Sequence, residues 1–260
     1  MIGLKKLFLL KEGIEPPLAS KIASGFVVAF LIFCLFFYTF SITNYDFSWG
    51  DIWEYREKFI TGFINTIIIS ISALFLSIAF GLFFAYGSMS NILPLRYISR
   101  SYVEIIRGTP LLVQILIFFY IFADAFGYDN RFVAGIFIMA FFSGAYTSEI
   151  IRAGILSVPK EQHEAATSLN FSTFQKYLYI IMPQATKVML PPLAGQFANL
   201  IKDSSLLSII SINEFTMNAQ EVNAYTYSTL ESYIPLAIGY LLLTYPLSYL
   251  SRVLEKRMSS

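Results

Sequence analysis

The sequence predicts an all-α integral membrane protein of about six transmembrane helices. Three observations carry that expectation. Of 260 residues, 56% are hydrophobic and 13% are charged, where a soluble domain carries about 25% charged residues. The hydrophobic residues gather in runs long enough to span about 30 Å of hydrocarbon as helix. Lysine and arginine are divided unevenly between the segments that join those runs, as in a chain with a fixed orientation in a bilayer.

The first span is expected at about 22–42, after a short basic start with Lys5, Lys6, Lys11 and Lys21. Its length and the absence of a small-residue cleavage site suit a retained span rather than a cleaved signal. Residues 44–58 are polar and acidic. Trp49, Ile52, Trp53 and Tyr55 suit a segment lying flat on the outer leaflet. The second span covers about 59–87. Its Thr66, Ser70, Ser77, Gly81 and Ser88 share one helical face, either a close packing seam or a polar pathway, with the seam favoured. Residues 88–100 read as a short cytoplasmic link broken by Pro94. The third span covers about 102–125, interrupted in its first turns by Gly108, Thr109 and Pro110, with Gln114 one turn further in. A tight turn at 127–131 leads to the fourth span at about 132–155, which carries Ser143, Thr147, Glu149 and Arg152. The fifth starts near Ile180. Pro183, Pro191, Pro192, Gly195, Gln196, Asn199, Lys202, Asp203 and Ser204 mark it as a broken helix lining a cavity or packed inside protein. Residues 213–231 read as a polar external segment with Glu214, Glu221 and Glu231, and the sixth span covers about 232–250. The chain divides into an N-terminal portion (1–58), a helical membrane domain (59–251) and a short tail (252–260).

With the N-terminus inside, Arg56, Lys58, Arg131 and Lys202 fall outside and the other fourteen of the 18 basic residues fall inside. This skew places both termini and residues 157–176 in the cytoplasm. That segment is polar, sits between apolar runs and holds His163, the single histidine. Ser157 is placed to cap a helix whose first turn holds Pro159. Asn170 suits a left-handed helix end, and Ser172 with Gln175 reads as a capping box for a second helix. Two short helices meeting at a corner make a protruding knob, thinned on one side by Ala165 and Ala166.

Other classes are disfavoured. The net charge of +1 gives no reason to expect nucleic acid. A single cysteine, Cys34, forms no internal disulfide, and a metal cluster is not expected. No G-x-x-x-x-G-K-[ST] loop is present, so any ATP used belongs to another chain. No nucleophile–base arrangement suggests an enzyme, and no catalytic residue is expected.

The order E-A-A at Glu164–Ala166, a helix-ending residue four positions on, then I-I-M-P and a Pro-Pro pair resembles the coupling loop of ABC importer permeases. The resemblance extends to Y-V-E-I-I-R-G-T-P-L-L-V-Q at 102–114, G-A-Y-T-S-E-I-I-R at 144–152 and K-D-S-S-L at 202–206. It covers roughly 62–214 and points to the polar amino-acid branch. Glu161, Asn170 and Gly195 depart from the pattern, standing where glycine, glycine and asparagine are usual. The resemblance implies a type I ABC importer permease (MetI-like) architecture with a cytoplasmic coupling helix. It also implies a multi-pass location in the bacterial cytoplasmic membrane, alternating access, and ATP with Mg on a partner ATPase rather than on this chain. The implied partners are ABC ATPase subunits, a second permease (identical or sister), an extracytoplasmic solute-binding protein and a polar amino acid.

Glu164, Ala165, Ala166, Leu169, Asn170 and Phe171 are the expected ATPase contacts. Thr66, Gln114, Glu149, Gln196, Asn199, Lys202, Asp203 and Ser204 are the candidate pathway residues. Glu149 either meets a substrate ammonium or pairs with Arg152 at i+3. Lys202 and Asp203 are either an outer gate or an interfacial anchor. Two other readings remain: an ion-coupled secondary transporter or channel without an ATPase, and a membrane scaffold. The absence of an internal repeat and the capped cytoplasmic loop speak against the first, and the polar fifth span against the second.

Overall fold

The computed structural model describes residues 17–43, 45–123, 125, 127 and 130–258. Lys5, Lys6, Lys11 and part of the expected 127–131 turn lie outside them. The chain forms two compact units, Met1–Phe47 and Ser48–Ser260.

The first unit is built on α1, Leu18–Thr43, 26 residues and about 39 Å long at 1.5 Å per residue. None of its apolar stretch is buried within the chain. Its hydroxyls bond to the helix's own backbone, Thr39 Oγ1 to the Leu35 carbonyl at 2.9 Å and Ser41 Oγ to the Tyr38 carbonyl at 2.9 Å. This removes the cost of carrying bare polar groups into hydrocarbon.

The second unit opens with α2, Trp49–Glu54, which leaves Trp49 and Trp53 exposed while Ile52 packs toward Phe59 and Phe215. The next helix, α3, runs Arg56–Met89, 34 residues. All five small residues of its predicted face are buried. Ser77 and Gly81 lie against α6, Arg131–Leu156, while Thr66 accepts from Phe215 N. A side chain at Gly81 would collide with Thr147, and a Cβ at Gly144 would stand 2.8 Å from that of Phe80. The face is therefore a packing seam. Glycine brings the two backbones together where lipid supplies no hydrophobic drive for association.

Three expectations are corrected in the middle of the chain. The 88–100 link is much shorter, because α4, Leu93–Gly108, begins there with Pro94 in its first turn, where a missing N–H costs nothing. The third span is a bent pair. α4 turns by 113° into α5, Leu111–Ile117, which continues as a wider π turn, Phe118–Ala123. Pro110 stands just before α5 with extended backbone (ψ 137°), the conformation that ends one helix and admits another. The fifth span is not broken at its prolines. After α7 (Lys160–Ser168), α8 (Thr173–Lys176) and a π turn at Tyr177–Ile181, α9 runs unbroken from Met182 to Asp203 through Pro191 and Pro192. Proline's fixed φ is itself helical, and Ser251 Oγ donates to the Pro191 carbonyl at 2.8 Å, tying this stretch to the last helix. The coil tightens only beyond Asp203, into a 3-10 segment, Ser204–Ile210, ending at Ser211 with φ 57°.

The 213–231 segment contains a helix, α10, Phe215–Thr226, and α11, Thr229–Met258, completes the chain. Among the described residues α1, α3, α6 and α11 are long and apolar enough to cross a membrane, and the bent α4–α5 pair makes a fifth candidate. α9 has the length for a sixth, with 22 residues, but its polar side chains dilute it.

α6 is the centre of the bundle: 72% of its apolar stretch is buried. Ile69 of α3, Ile115 of α5, Met139 of α6 and Leu200 of α9 meet in the main core. A second core (Ala85, Ile151, Ile181, Met189) lies at the end that carries α7. A third (Phe59, Phe215, Ala219, Val222) lies at the end that carries α10.

Candidate functional site

The α7 end is shaped by capping chemistry. Ser157 does not start α7; it finishes α6. Its N–H donates to the Ala153 carbonyl at 2.9 Å and its Oγ to the Gly154 carbonyl at 2.7 Å. α6 ends at Leu156, about where hydrophobic patterning puts it, and takes Ser157 as its C-cap, so α7 starts two residues later than expected, with Pro159 at its N-cap. Asn170 ends the helix in the left-handed region, φ 60°. Asn170 N donates to the Thr167 carbonyl at 3.0 Å and Phe171 N to the Ala166 carbonyl at 3.1 Å, the two bonds of a Schellman ending. α8 then starts on a reciprocal capping box, Ser172 N to Gln175 Oε1 at 2.9 Å and Gln175 N to Ser172 Oγ at 3.3 Å. The corner is thus fixed by paired backbone bonds rather than by distant packing.

Of the residues expected to meet a partner there, Glu164, Ala165, Leu169, Asn170 and Phe171 are exposed, Leu169 by 68%. Ala166 is fully buried and faces into the chain, so the thin outward side is Ala165 alone. Phe174, 73% exposed, was not singled out. An aromatic residue inside a capping box, between Ser172 and Gln175, is the signal that marks it.

The candidate pathway residues separate into two groups. Thr66, Gln114 and Ser204 are buried and bonded within the chain. Thr66 Oγ1 accepts from Phe215 N at 3.1 Å, and Ser204 Oγ donates to the Ile201 carbonyl at 2.7 Å. Gln114 Nε2 faces the Ile106 carbonyl at 2.7 Å, the Thr109 carbonyl at 3.1 Å and Thr109 Oγ1 at 2.7 Å. It closes the α4–α5 bend by satisfying carbonyls that the helix end leaves bare. The second group lies on α9. Gln196, Asn199 and Asp203 follow one another at i, i+3 and i+7, a single face. Gln196 Nε2 reaches Ser143 Oγ of α6 at 3.5 Å, and Asn199 and Lys202 are exposed.

Glu149 is paired with Arg152 through both oxygens, with Nε to Oε2 at 3.1 Å. The pair lines a cleft of about 370 Å³ with Arg100, Glu104 and Arg107 of α4.

Sequence reasoning missed two buried carboxylates at the α10 end. Glu214 is fully buried. Its oxygens accept from Met217 N at 2.6 Å, Thr216 N at 2.9 Å and the Tyr240 hydroxyl at 2.9 Å. Burial pushes its carboxyl up to about 7, against the pull of those bonds. Glu231, also fully buried, accepts from Ser48 N at 2.5 Å. A glutamate directly ahead of F-T-M-N is a weak helix-start signal, and burial of this kind is decided by tertiary packing.

The bundle, the bent pair and the capped knob define a multi-pass helical transport component of a membrane. The model described as "Binding-protein-dependent transport system inner membrane component" matches residues 77–260, and the chain belongs to that family. It is 38% identical over 202 residues to a probable glutamine ABC transporter permease of Bacillus subtilis (78% of this chain, 94% of that protein). To the L-cystine transport system permease of the same organism it is 42% identical over 200 residues (76% and 85%). To the glutamine transport system permease of Escherichia coli it is 34% identical over 216 residues (82% and 98%). Its fold matches a chain in the crystal structure of an amino acid ABC transporter with TM-score 0.74 at 37% identity (82% of this chain, 100% of that one). An inward-facing methionine ABC transporter matches at 0.64 and 13% identity (76% and 94%), a likeness of fold alone. These relatives are ABC transporter components, which favours the importer reading over the ion-coupled transporter.

Proposed function

We propose that this chain is the permease subunit of an ATP-driven, binding-protein-dependent importer of polar amino acids in the bacterial cytoplasmic membrane. Both termini and α7 face the cytoplasm, and α10 faces outward. The observation that carries the reading is the knob: a helix closed by a Schellman ending and a capping box, exposing Glu164, Ala165, Leu169 and Phe171 at one end of a membrane bundle. The names of the relatives supply the cargo class.

The connectivity supports a mechanism. The knob joins α6, the central helix, to α9, the helix with the amide-bearing face. Closure of two ATPase subunits around ATP and Mg displaces the knob. Because its corner is locked by backbone bonds, the displacement passes into α6 and α9 rather than being absorbed. Gln196, Asn199, Lys202 and Asp203 border the path that opens alternately to each side. Glu149 and Arg152 stand at its cytoplasmic end. Thr66, Gln114 and Ser204 shape the helices around it. A second permease, identical or sister, completes the path, and a solute-binding protein delivers cargo at the α10 end. ATP is used on the ATPase chains and none on this one.

The test is uptake of labelled L-glutamine and L-cystine into vesicles holding the full complex. Uptake should require lumenal ATP and external binding protein and survive collapse of ion gradients. Uptake that follows an ion gradient without ATP would overturn the reading.

A further inference from the structure

We propose that the cleft between α4 and α6 is a second, cytoplasm-side site for an amino-acid zwitterion, with Arg100 and Arg107 taking the carboxylate and Glu104 taking the ammonium. The proposal rests on the importer reading above and adds Arg100, Glu104 and Arg107, which the pathway candidates do not include, beside the Glu149–Arg152 pair.

The argument starts from α4. Tyr102, Val103 and Ile106 face the core, which turns Arg100, Glu104 and Arg107, at i, i+4 and i+7, onto one adjacent face. The 113° bend held by Gln114 sets that face against Glu149 and Arg152 of α6, and the five side chains line one cavity of about 370 Å³. This is at the small-molecule end of the range for ligand pockets.

Charge decides what fits. Glu149 and Arg152 satisfy each other. Among the described residues that is the one ion pair in the cleft; Arg107 adds its charge to the Glu149 side through space, while Arg100 and Glu104 make no ion pair although Glu104 sits within helical reach of both arginines. Arg107 is held with its guanidinium centre 5.5 Å from the Tyr146 ring centroid. A guanidinium stacked on a ring keeps its planar edge for two parallel bonds to a carboxylate. Three guanidiniums against two carboxylates would attract any anion, but Glu104 between Arg100 and Arg107 repels a phosphate. A ligand with a carboxylate and an ammonium a few bonds apart meets both. Occupancy from the cytoplasm would let accumulated cargo act on α4 and α6 directly.

The experiment measures equilibrium binding of labelled L-glutamine, and separately L-cystine, to the full permease–ATPase complex in phosphatidylcholine nanodiscs without binding protein. Saturable binding is expected, weakened about tenfold or more by Arg100→Gln and by Glu104→Gln. Both positions are exposed, so the fold is retained. Arg100→Lys should recover part of the loss. The methyl ester of glutamine, lacking the carboxylate, should not displace the label. Three results would overturn the proposal: no binding to a complex that transports normally, unchanged affinity in both variants, or displacement by inorganic phosphate or by phosphatidylglycerol in the disc, which marks a plain anion site. Uptake with binding protein, measured on the same preparation, separates the two claims. Failed uptake removes the importer reading, and normal uptake with no cleft binding removes the cleft alone.

Discussion

The side-chain amide of Gln114 donates to the backbone carbonyl of Ile106, eight residues earlier, at 2.7 Å across the α4–α5 bend. The second hydrogen of the same nitrogen is shared between the Thr109 carbonyl and hydroxyl, both within reach. Gln114→Leu leaves buried carbonyls without a donor and should cost about 1–3 kcal/mol. Gln114→Glu, which turns an anion toward those carbonyls, should cost more than the leucine. Thermal unfolding of the purified protein in detergent ranks the two; a glutamate variant as stable as wild type would contradict the assignment.

Gly81 and Thr147 fix the distance between α3 and α6. A Cβ at Gly81 meets Thr147 Cγ2 first, so Gly81→Ala should destabilise by about 1–3 kcal/mol through overpacking. Thr147→Ser removes that methyl but keeps the Cβ that would stand 2.8 Å away, so it should restore part of the loss in the double variant. Purely additive effects in a double-mutant cycle would show that the two residues do not meet.

The Glu149–Arg152 pair is about one-third exposed, at 30% and 35%, so its strength is limited by solvent to about 1 kcal/mol. Reversing one partner places like charges together in a cleft that already holds Arg100 and Arg107. Glu149→Arg and Arg152→Glu should each lower the unfolding midpoint, and the two together should recover most of it. No recovery in the exchanged pair would mean that Glu149 is held by another group.

Glu214 gives the chain a pH dependence of definite sign. Its carboxyl is raised from 4.5 to about 7 by burial, so the folded state binds the proton more tightly than the unfolded state. Stability from this group is full below pH 4.5 and declines as pH rises toward 7. The unfolding midpoint should fall across that window, and Glu214→Gln should flatten the curve. A curve of the same slope in the variant would assign the dependence elsewhere.

The knob is legible in sequence because caps are local: Asn170, Ser172 and Gln175 decide their geometry within six residues. The α3 seam is legible because a helix repeats its face at a fixed angle, which brings Thr66, Ser77 and Gly81 into one line. Pro191 and Pro192 mislead because a proline's effect depends on its neighbours in space. Here Ser251, sixty residues away in sequence, holds the stretch to α11. Ser157 misleads by two residues, since a serine between two helices can serve the end of the first as well as the start of the second. Glu214 and Glu231 are invisible for a related reason: a glutamate in a polar segment reads as solvated until Tyr240 or Ser48 is known to face it. Among the pathway candidates, hydroxyls and amides announce polarity but not its partner, so Thr66 and Gln114 look the same in sequence as Gln196.

The central claim is that the knob transmits force from an ATPase. Its most direct test is ATP hydrolysis by the full complex in lipid vesicles, with and without cargo-loaded binding protein, in wild type and in Glu164→Arg and Ala165→Trp. Both residues are exposed, so the variants should insert and assemble in the membrane as wild type does. Stimulation by the loaded binding protein should be present in wild type and lost in both variants. Full stimulation and uptake in variants that carry a bulky or reversed-charge knob would contradict the account.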